Sequence, residues 1–230
     1  MLHPWNLTPD AAIVLQMQLR DRLVLTWDGR AVGTVGGIDV SVKDEAARAV
    51  VAVFRYPDLA PLACATSQAP VSFPYIPGLL AFREIPVILA AWEQLAIKPD
   101  LIMVDGQGIA HPRGLGIASH LGLWLDRPAI GVAKSRLYGR HTEPGPDKGD
   151  HVPLHDERDP KLVIGAVLRA RPGANPLYIS PGHLIDLEHC LRLVLDCITQ
   201  YRLPEPTRWA HKVCAGEKLP IERRQQPRLF

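Results

Sequence analysis

What this 230-residue chain lacks removes whole classes of chemistry. Its four cysteines, Cys64, Cys190, Cys197 and Cys214, form no C-x-x-C pair and no zinc-ribbon spacing. Neither a thiol-redox centre nor a structural zinc site is expected. Cys190 and Cys197 fall in an apolar helical pattern and read as small core residues in a reducing compartment. The histidines include no H-E-x-x-H, which excludes that zinc hydrolase pattern. No G-x-S-x-G elbow exists for a serine hydrolase. Gly106-Gln107-Gly108 is followed by His111 where a dinucleotide fingerprint needs its third glycine. No run approaches the roughly 18 apolar residues of a membrane span. Met1 to Asp10 has neither the basic start nor the apolar stretch of a signal peptide, so a cytoplasmic protein with no membrane partner is expected. Charge of one sign is also missing: 26 Lys and Arg against 24 Asp and Glu leave +2. That balance neither demands nor forbids nucleic acid; what matters is whether the basic residues share a face.

What is present is a chain able to fold. Hydrophobic residues make up 47% and charged residues 22%, enough for a substantial core. With no internal repeat and no long linker, residues 1–230 read as one domain. Thr8-Pro9-Asp10 opens a helix, with Ile13, Val14, Met17 and Leu25 as apolar positions. Segments Val35–Val42, Ala49–Phe54 and Leu62–Gln68 read as an antiparallel meander. An apolar amphipathic stretch from Leu79 to Leu95, interrupted by Pro86, follows a Pro-rich loop over Pro70–Gly78. Leu101–Val104 reads as a buried strand. A helix near Gly116–Leu125, a strand at Ala129–Val132 and a polar stretch at Tyr138–His155 come next. Strands near Leu162–Arg169 and Leu177–Ile179 lead to a helix over Leu184–Tyr201. A last short helix carries Trp209-Ala210-His211. A meander followed by alternating helices and strands indicates an α/β fold, one mixed sheet covered by helices.

Three acids stand out against this pattern. Asp39 interrupts a strand-like run, sharing a face with the small residues Gly37 and Ser41, which leave space beside its carboxylate. Asp105 closes the run Leu101–Val104, at the carboxyl end of a strand where open α/β sheets bind ligands; a turn before Gly106 explains it equally well. Glu84 lies along the apolar stripe of a helix that runs through Pro86, where an ionised carboxylate needs compensation by a metal ion or by Arg83. If Pro86 instead begins the helix, Glu84 sits in a loop. Carboxylate oxygens with retained waters are what Mg²⁺ prefers, and such an ion activates water for phosphoryl chemistry. Spacing alone does not bring the three together.

Several strings in order resemble the endonuclease V family. They are Gly37-Ile38-Asp39-Val40-Ser41, Pro74-Tyr75-Ile76-Pro77-Gly78, Phe82-Arg83-Glu84, and Asp105-Gly106-Gln107-Gly108-Ile109-Ala110-His111-Pro112-Arg113. Gly116–Gly122, Gly131-Val132-Ala133-Lys134-Ser135, Ser180-Pro181-Gly182-His183 and Ala210-His211 complete the series. The resemblance implies a ribonuclease H-like fold, a mixed central β-sheet flanked by helices. It implies Asp39 and Asp105 as metal ligands, with Glu84 completing the acidic cluster. Lys134 would orient water or contact phosphate, and His211 would lie close to the metal; these five form the expected catalytic set. The implied cofactor is Mg²⁺, with Mn²⁺ able to substitute. The implied substrate is inosine-containing DNA, cut at the second phosphodiester 3′ to the lesion to leave 3′-hydroxyl and 5′-phosphate ends.

The Pro74–Gly78 loop has a logic of its own. Two prolines stiffen the chain around Tyr75, and a rigid aromatic can fill the stack vacated by an extruded base. A Tyr packed under its own loop is the structural alternative. Gly78, Gly106 and Gly108 would let backbone amides approach that base. His111 and Arg113 would either serve phosphates or brace the loop, and Arg223, Arg224 and Arg228 read as a solvated tail. A monomer is expected. Two further readings stay open: cleavage of inosine-containing RNA, and metal-free, non-catalytic inosine binding.

Overall fold

The computed structural model describes residues 2–221; the arginines of the expected tail lie outside them. The first helix, α1 (Pro9–Arg20), begins as its cap signals dictate. Thr8 Oγ1 accepts from the Ala11 amide at 3.3 Å, Pro9 occupies the first turn, and Asp10 meets the positive end of the dipole. Its buried row is Ala12, Gln16 and Leu19, however, while Val14 and Met17 are 54% and 47% exposed. Of the expected apolar positions, Ile13 packs against the core, Val14 and Met17 face solvent, and Leu25 lies beyond the helix end.

Strands β1 (Thr34–Lys43), β2 (Ala46–Arg55) and β3 (Pro61–Pro70) form the antiparallel meander. Helix α2 (Leu80–Glu93) continues through Pro86. An interior proline costs about 3 kcal/mol, but Phe82, Ile85 and Ile88 are almost wholly buried. Burial worth roughly 1.5–3 kcal/mol for each such side chain outweighs that cost.

Strand β4 (Leu101–Val104), helix α3 (Ile117–Leu125) and strand β5 (Ala129–Ala133) supply the parallel part: β4 pairs with both β1 and β5 in parallel. Strand β6 (His151–His155) falls within the stretch expected to be only polar loop; strands β7 (Val163–Leu168) and β8 (Leu177–His183) follow. Pro153 made β6 hard to foresee, but β6 is an outermost strand, where a missing N–H is tolerated. Helix α4 (Leu187–Asp196) is shorter than expected. Asp186 caps it by accepting from the His189 amide at 2.9 Å, and the helix stops at Cys197. Helix α5 (Glu205–Cys214) is the last element.

The eight strands form one sheet in the order β3-β2-β1-β4-β5-β8-β7-β6. Alternation along β4 divides the core between its faces. Ile102 and Val104 join Ile85, Ile88 and Leu121 beneath α2 and α3, while Leu101 and Met103 join Cys190, Leu193 and Val194 beneath α4. Val50, Ala52 and Phe54 of β2 pack against Ala210 and Val213 of α5. The mixed α/β sheet flanked by helices is the architecture the sequence pattern called for, and the cysteines Cys190 and Cys197 are buried and unpaired.

Candidate active site

The site grows out of the register between β1 and β4. Ile38 is paired with Val104, and the Asp105 amide extends that parallel ladder by donating to the Ile38 carbonyl at 2.9 Å. The next step along each strand is Asp39 on one side and Asp105 on the other. Carboxylates far apart in the chain thereby become neighbours. Both carry little exposure, and burial together with the negative charge of Asp105 pushes the Asp39 carboxyl upward.

Two basic side chains answer that charge. Lys134, just beyond β5, places its Nζ 2.5 Å from Asp105 Oδ2 and 3.5 Å from His211 Nδ1. His211 Nδ1 lies 2.9 Å from Asp39 Oδ2. The histidine is delivered by α5, which crosses β1 at unusually short range. A Cβ added to Gly37 would sit 1.9 Å from the Pro206 carbonyl oxygen, so only the missing side chain lets the helix lie there. Gly37 thus sets the approach that brings His211 onto Asp39, two positions further along the same face.

Asp39, Asp105 and His211 each offer a ligand atom, and these atoms lie within 4.8 Å of one another. Two carboxylate oxygens and an imidazole nitrogen are a fitting donor set for a divalent cation. The raised Asp39 pKa supports the fit, since crowded carboxylates are relieved by a bound positive charge. Glu84 stands outside that trio. Burial, then the charge of Asp39, pushes its pKa up to about 8, Asp105 adds to this, and Arg83 opposes it. Its carboxyl therefore feels both aspartates across the gap, as part of the acidic cluster without a place in the trio.

Beside the acids lies a cavity of about 360 Å³, within the size range of ligand pockets. Asp105 and Lys134 line it, so it opens onto the acidic cluster. The Pro-rich loop also lines it, contributing Tyr75, Ile76, Pro77 and Gly78. Tyr75 is 71% exposed, with the Arg83 guanidinium 6.0 Å from its ring centre; it does not pack beneath its own loop. Pro74 and Gly108 are not among the lining residues. The Gly108 amide donates to Ser180 Oγ at 2.8 Å and is turned toward β8. His111 lines the cavity, with both ring nitrogens engaged by protein groups.

Against known proteins, the model of the endonuclease V family matches residues 17–212. The chain belongs to the endonuclease V family. It is 49% identical to endonuclease V of Trichormus variabilis over 93% of this chain and 97% of that protein. The corresponding values for endonuclease V of Alkalilimnicola ehrlichii are 48%, 95% and 96%. The crystal structure of endonuclease V from Streptomyces avermitilis superposes with a TM-score of 0.86 at 41% identity, covering 92% of this chain and 93% of that one. That of Ciona intestinalis endonuclease V (D234N), in complex with a 23mer DNA containing an inosine followed by a ribo-adenosine, superposes with a TM-score of 0.78. Its identity is 26%, with 91% of this chain and 97% of that one covered.

Two residues of this endonuclease V fold escaped the sequence reading. Arg202 donates from Nη2 to the carbonyls of Lys134 and Pro176, both at 2.8 Å, and so anchors the backbone that carries Lys134. Nothing in its local spacing marks it. Gln16 did leave a signal: it occupies the apolar row Ala12, Gln16, Leu19, where a polar amide requires partners.

Proposed function

We propose that this protein is a divalent-metal-dependent endonuclease that recognises deoxyinosine in DNA and initiates repair. It hydrolyses the second phosphodiester 3′ to the lesion, leaving 3′-hydroxyl and 5′-phosphate ends. The observation that carries this reading is the trio Asp39, Asp105 and His211, converging within 4.8 Å beside a cavity that shares Asp105 and Lys134. Family membership and the inosine-containing DNA bound by the Ciona relative support the substrate.

Asp39 and Asp105 would hold the ion, with His211 at its side. Mg²⁺ suits the carboxylates, and Mn²⁺ can replace it because manganese also takes carboxylate oxygens. Such an ion, when bound, activates water and stabilises charge on a transferring phosphoryl group. The chain's own groups prepare the rest. His211 fixes the orientation of the Asp39 carboxylate through their 2.9 Å contact. Lys134, paired with Asp105, supplies a positive charge where the scissile phosphate would approach. Glu84 adds a third carboxyl whose proton affinity responds to both aspartates. Tyr75, exposed at the tip of a proline-stiffened loop, acts as the wedge, and the cavity receives the extruded base.

The deciding experiment is incubation of an inosine-containing duplex with and without Mg²⁺, with the products mapped to single-nucleotide resolution. Metal-dependent nicking at the second 3′ phosphodiester is expected. Inosine-selective binding with no turnover would instead identify a non-catalytic binder. The ribo-adenosine beside the inosine in the Ciona complex makes inosine-containing RNA the second substrate to test, and paired DNA and RNA oligonucleotides of one sequence separate the two. We further propose that the protein acts as a cytoplasmic monomer.

A further inference from the structure

One backbone oxygen in the cavity wall, the Gly78 carbonyl, accepts from three side chains. Gln16 Nε2 lies 2.9 Å from it, Arg113 Nη2 2.7 Å and His111 Nε2 2.9 Å. The donors are themselves linked. Gln16 gives its second amide hydrogen to the Leu115 carbonyl at 3.1 Å, and its Oε1 accepts from Arg113 Nε at 2.6 Å. All the polar atoms of the Gln16 amide are therefore used, and the pattern fixes which end is nitrogen. His111 Nδ1 accepts from the Arg113 amide at 3.1 Å, so its proton sits on Nε2, facing Gly78. Burial and the Arg113 charge lower its pKa to about 4, keeping the ring neutral. Three donors crowd a carbonyl that has two lone pairs, which holds it from several directions at once.

The tie joins three segments of chain. Gln16 comes from α1, Gly78 from the loop carrying Tyr75, and His111 and Arg113 from the loop that starts at Asp105. Gly78 itself has φ +81°, and a Cβ there would meet Arg113 Nη2 at 2.7 Å. Any other residue would be strained at that φ and would push the Arg113 guanidinium off its place on the Gly78 carbonyl. Because the Tyr75 ring is exposed, its position depends on the backbone behind it. The need to bury Gln16 at this junction also explains why α1 turns Val14 and Met17 to solvent.

Resting on the proposed function, we propose that Gln16 and Arg113 are positioning residues for lesion selectivity. By clamping the Gly78 carbonyl, they fix the wedge loop and the cavity wall at a set distance from Asp105 before nucleic acid arrives. Preorganisation of this kind raises discrimination because the loop need not be ordered during binding.

The test uses the full chain with Gln16→Leu and Gln16→Glu. The first removes every hydrogen bond of the tie made by residue 16. The second keeps an acceptor for Arg113 but sets oxygen against the Gly78 and Leu115 carbonyls. Duplexes with inosine or adenine at one site are cleaved across a Mg²⁺ series. The inosine-to-adenine ratio of kcat/KM is expected to fall about tenfold or more, within what a roughly 1 Å misplacement costs. The loss should lie mainly in KM, with the half-saturating Mg²⁺ concentration unmoved. Arg113→Lys, which keeps the charge but not the fork, should fall between parent and Gln16→Leu. A Tyr75→Trp probe, with the signal of the five native tryptophans subtracted using the matching Tyr75 protein, should show lower fluorescence anisotropy with Gln16→Leu than without it. Folded Gln16 variants with the parental ratio and anisotropy would overturn the proposal, as would a loss of ratio matched by an equal loss of Mg²⁺ affinity. If Gln16→Leu does not fold, Gln16→Glu carries the same readouts. Failure of the parent itself to nick inosine sinks the nuclease reading, and the anisotropy comparison still judges the tie.

Discussion

The floor of the acidic site and the wall of the cavity beside it are built by opposite means. The floor is made of charge: Asp39, Asp105, Lys134 and His211 stand within a few ångströms, each raised on or beside a strand of the sheet or on the helix pressed against it. The wall is made of backbone, a proline-stiffened loop whose carbonyl at Gly78 is held by an amide, a guanidinium and a neutral imidazole. In the floor, like charges are crowded and then compensated, an arrangement that leaves a place for a cation. In the wall, hydrogen bonds are saturated, an arrangement that leaves little freedom. Under the proposed function, chemistry and selectivity would thereby fall to parts of the molecule that can be disturbed separately.

The sharpest break in that comparison comes from the floor. Asp39→Ala or Asp105→Ala should lower nicking by at least about 10²–10³-fold, the scale on which removal of one preorganised electrostatic group acts. Binding of an inosine duplex in a metal chelator should persist, as a gel-shift measurement would record. Loss of that binding together with activity would merge floor and wall into one unit. A smaller effect is expected at His211, which acts on Asp39 from the side. His211→Ala should raise the Mg²⁺ concentration needed for half-maximal rate by roughly 10–100-fold, as for other groups that orient a metal ligand. An unchanged metal titration would remove His211 from the floor.

On the wall, Tyr75→Ala should cost about 1–3 kcal/mol of stacking, read as a fall in inosine-over-adenine discrimination. Its metal titration should match the parent's. Equal discrimination by mutant and parent would end the wedge role.

The smallest effect tests the shared scaffold through pH. His111 and His120 are held neutral by burial, with pKa values lowered to about 4 and about 3. His120 Nε2 lies 2.7 Å from His3 Nε2, within an aromatic cluster that includes Trp5 and Phe82. The unfolded chain takes up these protons near the ordinary value of about 6.5, while the folded chain refuses them. Their contribution to stability is complete above that pH and declines as pH falls toward about 4. Glu84, with its pKa raised to about 8, pulls the other way over the same range, so the reading is a difference: from pH 6.5 to 5 the thermal midpoint of His120→Gln should gain on that of the parent. A midpoint difference between His120→Gln and parent that does not change with pH over that range would show that the His120 ring does not resist protonation in the fold.

Much of this was legible in the residues. Thr8-Pro9-Asp10 started a helix because caps act locally, and Leu101–Val104 announced a strand buried on both faces. The stiff loop around Tyr75 was visible because proline fixes φ whatever surrounds it. The buried side of α1 was not, because Val14 and Met17 are apolar and Gln16 is not; the partners that make Gln16 a buried residue come from two distant loops. Strand β6 was hidden by Pro153, whose tolerance depends on lying at the edge of a sheet not yet assembled. Gly108 looked free to approach a base until β8 claimed its amide.

By itself, then, the sequence determined the order and kind of most elements and put an acid within one strand and at the end of another. Tertiary structure decided that those acids meet, through the parallel register of β1 with β4 and the close passage of α5 over Gly37. The physical reason is one of range. Propensity, capping and alternation are settled between near neighbours in the chain, whereas pairing of distant strands is chosen by the collective burial of both faces of the sheet.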